Sequence, residues 1–177
     1  MNIVLIGLKS CGKTSVGTYL SQIMRCGFVD TDRLIQAHYA ILHGDLLSTT
    51  DIYAIQGAQY FRRLETSVIG RLKTMSNTII ASGGGSILDA VNRKMFKKTG
   101  IVVYLQMSYE SFCNRIQSQS LPSFIDANDP VTSMQCIYQE RILLYQQIAD
   151  IEISTDNQSI EEIGTAIKSQ LKGQYGF

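Results

Sequence analysis

The chain has 177 residues, of which 45% are hydrophobic, and this length supports one well-buried core and leaves little for a second. Its 16 Lys and Arg against 15 Asp and Glu give a net charge of +1. Such a balance excludes a strong overall field for recruiting nucleic acid or an anionic membrane. We therefore expect a single domain over residues 1–177, with neither nucleic acid nor membrane as a partner. We also expect a monomer, although neither length nor charge determines the oligomeric state.

The cysteines do not follow a metal-binding or disulfide pattern. The chain has 4 Cys and 2 His, and no CxxC pair occurs. Widely separated cysteines of this kind indicate neither a zinc site nor a disulfide framework. The first residues lack a basic leader, and their apolar run is too short for a signal core or a membrane span. We expect a reduced, cytoplasmic protein.

Short β-branched segments recur along the chain with helical patterns between them. We predict strands at 2–6, 28–29, 78–81, 101–105 and 151–153. Several are almost wholly apolar, which is typical of parallel strands that helices cover on both faces. The sequence therefore predicts an α/β fold, a three-layer sandwich.

Helix boundaries can be located between these strands. Asp129 followed by Pro130 is typical of an N-cap with a first-turn proline, and Ser159 with Glu162 has the spacing of a capping box. Gly100 lies where a helix-ending glycine is expected. A long polar stretch at 117–128 separates two helical patterns, and loops of this length are often lids or binding loops.

Residues 7–14, GLKSCGKT, match the phosphate-loop pattern G-x-x-x-x-G-K-[ST]. An apolar strand precedes them and a helical pattern follows, which is the context this pattern requires. Backbone N–H groups at the start of such a helix form an anion site. Lys13 is then expected to reach the terminal phosphates of a nucleotide and the Thr14 hydroxyl to bind magnesium. We interpret Cys11 as a small spacer; the alternative for the whole loop is an ordinary strand-to-helix turn.

A phosphate loop alone does not separate kinases from GTPases or motor ATPases. The guanine-selecting N-K-x-D motif is absent from the sequence. The chain is also too short to add more than small insertions to a nucleotide-binding core. These features favour a small-molecule kinase.

The FVDTD stretch places Asp30 and Asp32 directly after the second predicted strand. In an extended segment, residues two apart share a face, so we expect both carboxylates at one site. One could organise magnesium through water, and the other could accept a proton from an attacking hydroxyl. A helix N-cap with an acidic first turn is the alternative.

Three consecutive glycines, 83–85, follow the third predicted strand. Three in a row cost chain entropy, so we expect positions that need close backbone approach or a positive φ. Ser82 could orient a magnesium-bound water. The alternative is a flexible loop.

Two arginines lie on predicted helices at positions that face apolar residues. Arg141 falls on the apolar stripe of its helix, and Arg62 lies three residues before Glu65. For each, an internal salt bridge is the alternative. Together with a phosphate loop they favour an acceptor that carries a carboxylate, because arginine binds carboxylates in a bidentate manner.

Taken together, these motifs resemble those of the shikimate kinase family, P-loop enzymes that transfer phosphate from ATP to the 3-hydroxyl of shikimate. The matching strings are GLKSCGKT, FVDTD, FRRLE at 61–65, GGG, VVYL at 102–105 and ERILLY at 140–145, spread over nearly the whole chain. The resemblance implies a five-stranded parallel sheet of order 2-3-1-4-5, an acceptor-binding subdomain at about 31–63 and a lid at about 117–128. It also implies ATP and shikimate as substrates, Mg²⁺ as cofactor, and a place in aromatic amino-acid biosynthesis.

The resemblance also assigns roles to individual residues. Lys13 and Asp32 are the catalytic residues it implies, with Thr14 and, through water, Asp30 for the metal. The nucleotide-binding residues it implies are Ser10, Cys11, Gly12, Lys13, Thr14, Ser15 and Arg115, the last near adenine. The acceptor-binding residues it implies are Asp32, Arg62, Gly83, Gly84, Gly85 and Arg141.

The lid departs from the family pattern. Where the family usually reads Arg-Pro-Leu-Leu, residues 121–124 read LPSF, and no Lys or Arg lies between Arg115 and Arg141. In related P-loop enzymes an arginine finger contributes about 10³ to 10⁵ in kcat. Ser10 also replaces a glycine that many family members carry. Two alternatives therefore stay open: a kinase for another hydroxy acid such as gluconate, and a catalytically weakened protein that binds nucleotide or shikimate.

Overall fold

Five parallel strands form one sheet at the centre of the protein. We describe residues 1–118, 122 and 124–176 of a computed structural model. The strands are β1 (Asn2–Ile6), β2 (Gly27–Asp30), β3 (Thr78–Ala81), β4 (Gly100–Gln106) and β5 (Ile151–Ser154). They pair in the order β2-β3-β1-β4-β5, all parallel, which confirms the expected sheet.

Helices cover both faces of the sheet, and this arrangement confirms the three-layer sandwich. The helices are α1 (Lys13–Met24), α2 (Thr31–His43), α3 (Thr49–Arg71), α4 (Ala90–Thr99), α5 (Tyr109–Gln117), α6 (Pro130–Ile148) and α7 (Ile160–Tyr175). Helices α1 and α7 pack against each other on one face, while α4 and α6 contact β4 on the other. Within the part of the chain described, no helix combines the length and apolar character needed to cross a bilayer.

The central strands form the main core because most of their buried residues are apolar; Asn2 and Thr78 are buried polar residues at the strand starts. All residues of β1 and β3 are buried, as are five of the seven in β4. At the sheet edge, β5 alternates buried and exposed residues. The parallel central strands thus lack alternation because helices cover them on both sides.

The predicted helix boundaries occur where the sequence places them. The Asp129 carboxylate accepts a hydrogen bond from the backbone of Thr132 at the start of α6. Ser159 and Glu162 form both hydrogen bonds of a capping box at the start of α7. Gly100 does end α4, with an extended φ of 176°. Glycine is needed there because a Cβ atom would lie 2.1 Å from the carbonyl oxygen of Asn2.

A second, smaller apolar cluster joins α2 to α3. It consists of Ile35, Tyr39, Ile52, Phe61, Leu64 and Val68. Within α3 the chain is kinked at Gly57, where φ is 79° and ψ is 166°. The subdomain at 31–63 and the lid at 117–128 stay predictions, and positions 119–121 and 123 of that lid lie outside the described residues.

Candidate functional site

A cavity of about 620 Å³ opens at the carboxyl edge of the sheet. The loop after β1, the ends of β2 and β3, and side chains from α3 and α6 line it. Twelve of the residues predicted for the site line this cavity. They are Ser10, Gly12, Lys13, Thr14, Ser15, Asp30, Asp32, Arg62, Gly83, Gly84, Gly85 and Arg141.

The loop between β1 and α1 has the backbone of an anion-binding turn. Gly12, the residue before α1, has φ 97°, and Ser10 has φ 65°. A left-handed conformation costs a residue with a side chain about 1–2 kcal/mol. Ser10 therefore carries strain that glycine would avoid, and this loop keeps its shape despite the departure from the family pattern.

Lys13 is buried, and its ammonium group lies against its own loop. The Nζ atom donates to the carbonyl oxygens of Gly7 at 2.9 Å and Leu8 at 2.7 Å, and lies 3.6 Å from Sγ of Cys11. Phosphate oxygens bind an ammonium group more strongly than neutral carbonyls because they are charged. Cys11 is 1% exposed and packs under the loop instead of lining the cavity, as a spacer does.

Thr14 and Asp30 meet at the mouth of the loop. The Thr14 hydroxyl donates to Oδ2 of Asp30 at 2.7 Å, and Oδ1 of Asp30 accepts from the backbone N–H of Asp32 at 2.9 Å. Asp30 is therefore also the N-cap of α2, the alternative considered for this pair. A hydroxyl beside a carboxylate is a donor set that fits Mg²⁺, which takes further ligands from phosphate and water. No cluster of three or more His, Cys, Asp or Glu suited to a metal occurs among the described residues.

Asp32 lies in the first turn of α2, so the expectation of an extended segment is wrong for this residue. Because Asp30 caps the helix, the chain turns at once and directs both carboxylates to the cavity. Burial raises the pKa of Asp32, the neighbouring Asp30 carboxylate raises it further, and Lys13 and Lys9 lower it. A raised pKa improves a carboxylate as a proton acceptor.

The glycines at 83–85 are there for close approach and not for a positive φ, since none of them has one. A Cβ atom would lie 2.8 Å from Oδ1 of Asp32 at the first, 3.1 Å from the backbone nitrogen of Lys9 at the second, and 2.9 Å from Nη2 of Arg62 at the third. The three glycines thus allow the Asp32 carboxylate, the phosphate loop and the Arg62 guanidinium to line one cavity.

Arg62 forms the internal salt bridge considered as its alternative. Its Nη1 atom donates to Oε2 of Glu65 at 2.7 Å, and the Arg62 side chain remains 34% exposed at the cavity. Glu65 is 2% exposed. Burial raises the pKa of Glu65, and the charge of Arg62 opposes that rise. The ion pair fixes the guanidinium at the cavity wall.

Arg141 has no such carboxylate partner among the described residues. It is 7% exposed, and Nη1 donates to the carbonyl oxygen of Gly84 at 3.4 Å. Its buried Nε has no hydrogen-bond partner in the described part of the chain. Burial lowers the pKa of Arg141. A buried guanidinium without an anion is costly, so this arrangement favours an anionic ligand.

Arg115 is not part of the cavity wall. Its Nη1 donates to the carbonyl oxygen of Ser10 at 2.9 Å, and Nη2 donates to that of Thr155 at 3.5 Å. The Arg115 guanidinium therefore links the phosphate loop to the segment after β5 by hydrogen bonds. Its role near adenine stays a prediction.

The cavity is also lined by residues for which the sequence predicted no role, among them a charged residue and two aromatic ones. Lys9, Tyr53 and Phe124 come from the nucleotide loop, α3 and the segment before α6. A charged residue at a variable position of the phosphate loop was the signal available for Lys9. The two aromatic residues reach the cavity through tertiary packing, which no local pattern indicates.

Comparisons with known proteins identify the family. A family model described as shikimate kinase matches residues 9–172. The shikimate kinase of Symbiobacterium thermophilum is 35% identical over 99% of this chain and 100% of that protein, and that of Thiobacillus denitrificans is 33% identical over 96% and 90%. The structure of shikimate kinase from Acinetobacter baumannii in complex with shikimate superposes with a TM-score of 0.88 at 27% identity, over 98% of this chain and 94% of that one. The chain belongs to the shikimate kinase family.

Proposed function

We propose that this protein transfers the γ-phosphoryl group of ATP to the 3-hydroxyl of shikimate, giving shikimate 3-phosphate and ADP for aromatic amino-acid biosynthesis. One observation carries the proposal. A phosphate loop, a carboxylate with a raised pKa and a buried guanidinium without a carboxylate partner line the same cavity. Family membership supports the choice of acceptor over gluconate.

The donor side of the site is the loop before α1. Its backbone N–H groups and the positive end of α1 bind the phosphates of ATP. In this structure Nζ of Lys13 donates to the carbonyl oxygens of Gly7 at 2.9 Å and Leu8 at 2.7 Å. When ATP binds, Lys13 exchanges these carbonyl oxygens for phosphate oxygens. That exchange places its charge on the reacting end of the nucleotide.

The acceptor side is built on α3, α6 and the glycines at 83–85. Arg141 and Arg62 bind the carboxylate of shikimate, because a guanidinium matches a carboxylate with parallel hydrogen bonds. Asp32 binds the hydroxyl that reacts. Because the segment at 83–85 has no side chains, Asp32 and Arg62 can both pack closely against it.

The chemistry requires a base and charge neutralisation. A bond forms between the 3-oxygen of shikimate and the γ-phosphorus, the bond from that phosphorus to the oxygen that bridges it to ADP breaks, and the hydroxyl proton passes to Asp32. Lys13 stabilises the charge on the transferred group. Positioning and electrostatics supply most of the rate in reactions of this class.

Thr14 and Asp30 are the residues that would hold Mg²⁺, since their oxygens meet beside the phosphate loop. When bound, this ion neutralises the charge of the β- and γ-phosphates. We further propose a monomer and, because all four cysteines are free, a cytoplasmic site of action.

The test is ADP release from Mg-ATP with a panel of acceptors. We expect turnover with shikimate, and none above background with gluconate. Lys13→Ala should lose turnover while its melting temperature stays near that of the unmodified protein, and Lys94→Ala, on the exposed face of α4, serves as the matched control. Turnover with gluconate and not shikimate would reject the proposed acceptor. Tight ligand binding without ADP release would favour the weakened binding protein.

A further inference from the structure

Four basic side chains line the cavity, and three of them are held by other groups of the protein. Lys13 is bonded to carbonyls of its loop, Arg62 to Glu65, and Arg141 to the carbonyl of Gly84. Lys9 is exposed and makes no hydrogen bond or ion pair with any described residue. Of these four cations, Lys9 is therefore the one that no hydrogen bond or ion pair to a described residue holds, and its ammonium group contacts the Phe124 ring.

Lys9 belongs to the phosphate loop and contacts residues on the acceptor side of the cavity. Its backbone nitrogen packs on Gly84, where a Cβ atom would lie only 3.1 Å away. Its Nζ lies 5.9 Å from the centroid of the Phe124 ring, and Cζ of Arg141 lies 5.2 Å from the same centroid. The ring thus contacts one cation of the nucleotide loop and one of the acceptor site.

Lys9 also lines the same cavity as Lys13, Thr14 and Asp32. Its side chain therefore belongs to the part of the cavity where the acceptor hydroxyl would meet the nucleotide.

We propose that Lys9 is a second catalytic cation, whose ammonium group contacts the γ-phosphoryl oxygens of ATP together with Lys13. The inference rests on the proposed kinase function. Phosphoryl transfer spreads negative charge over three oxygens, and a lysine offers three donors on a flexible stem. The segment between Arg115 and Arg141 contains no Lys or Arg, so it supplies no cation of its own. The contact with Phe124 is an exposed cation–π contact, which is weak enough for phosphate oxygens to replace.

Lys9→Met, which keeps an unbranched side chain close to the original length and removes its charge, tests the proposal, with Lys94→Met on the exposed face of α4 as the matched control. We expect kcat for shikimate to fall about 10²-fold, as when one donor to a developing charge is removed. Lys9→Arg should recover part of the loss, and Lys94→Met should be unchanged. Because Lys9 is exposed, the melting temperature should stay constant, and Lys9→Gln is a second neutral variant with the same expectation.

Comparing the binding of an ATP analogue with that of ADP distinguishes a contact with the γ-phosphate from a purely structural role of Lys9. Lys9→Met should weaken binding of a non-hydrolysable ATP analogue about tenfold, the effect of one charge-assisted hydrogen bond, and leave ADP binding unchanged. Equal weakening of both nucleotides, or of neither, would overturn the contact with the γ-phosphate. Phe124→Leu should retain the preference for the ATP analogue; if it reproduces the loss, Lys9 acts by holding residue 124 and the proposal is wrong.

These results separate the inference from the proposed function. If the unmodified protein does not turn over shikimate, the proposed acceptor fails, whereas the comparison of ATP analogue with ADP still decides whether Lys9 contacts the γ-phosphate. If shikimate turns over and Lys9→Met retains full kcat, the function stands and Lys9 is not catalytic.

Discussion

Replacing Gly83 with Ala tests whether the position of the Asp32 carboxylate controls the rate. The new Cβ atom would lie 2.8 Å from Oδ1 of Asp32, whereas ordinary contact begins at 3.4 Å. The backbone at this point is fixed, since the N–H of Gly83 donates to the Thr31 hydroxyl at 2.9 Å. The Asp32 side chain must therefore retreat by about 0.6 Å, the difference between 3.4 and 2.8 Å.

A displacement of this size affects chemistry more than folding. A misplacement of about 1 Å costs about 10²-fold in rate, so we expect kcat for Gly83→Ala to fall about tenfold. The melting temperature should change little, because the Asp32 carboxylate can rotate away. Steady-state ADP release and thermal unfolding measure the two effects.

Gly173→Ala is the matched control for this substitution. Gly173 lies in α7, and nothing lies within 4 Å of the position its Cβ would take. We expect unchanged kcat and a stability gain of about 0.5–1 kcal/mol from the better helix former. If Gly83→Ala keeps full kcat while Asp32→Asn abolishes it, carboxylate placement is not what limits the reaction, and the reasoning fails.

Charges and backbone geometry give four further predictions. Asp32 must be ionised to accept a proton, and burial raises its pKa, so kcat/KM should fall on acidification at a pH above the range of an ordinary aspartate. Because Lys9 lowers this pKa, Lys9→Met should move that acid limb to higher pH in a pH–rate profile, and an unmoved limb would contradict the coupling. Glu65→Gln removes the ion pair that fixes Arg62 and should raise KM for shikimate about tenfold with a smaller change in kcat; a loss confined to kcat would argue against a binding role. Gly57→Ala forces a side chain into φ 79° and ψ 166° and should cost about 1–3 kcal/mol in the free energy of unfolding, so unchanged denaturation would mean that the kink is not needed.

Local sequence signals were sufficient for the strands, the helix ends and the phosphate loop. The buried runs of β1, β3 and β4 are apolar without alternation, and the caps at Asp129 and Ser159 depend on residues within one turn. The short edge strand β2 extends beyond its predicted core to Gly27 and Asp30, residue types that disfavour strands and are held there by pairing with β3. The strand order came from the family resemblance and not from periodicity.

The parts that the sequence did not predict depend on tertiary contacts. Asp32 is helical because Asp30 caps the start of α2. Arg115 contacts Ser10 of the phosphate loop, from which it is 105 residues distant in sequence. The three glycines indicated close approach, but only the folded chain shows that Asp32, Lys9 and Arg62 are the groups that approach them. Contacts of this kind have no short-range signature.

The most direct test of the central claim is the identity of the product. The protein is incubated with Mg-ATP and shikimate, and ³¹P and ¹H NMR locate the new phosphate ester on the ring. The account predicts shikimate 3-phosphate in amounts equal to the ADP formed, and none with Lys13→Ala. A phosphate on another hydroxyl, or ADP formed without any shikimate ester, would contradict it.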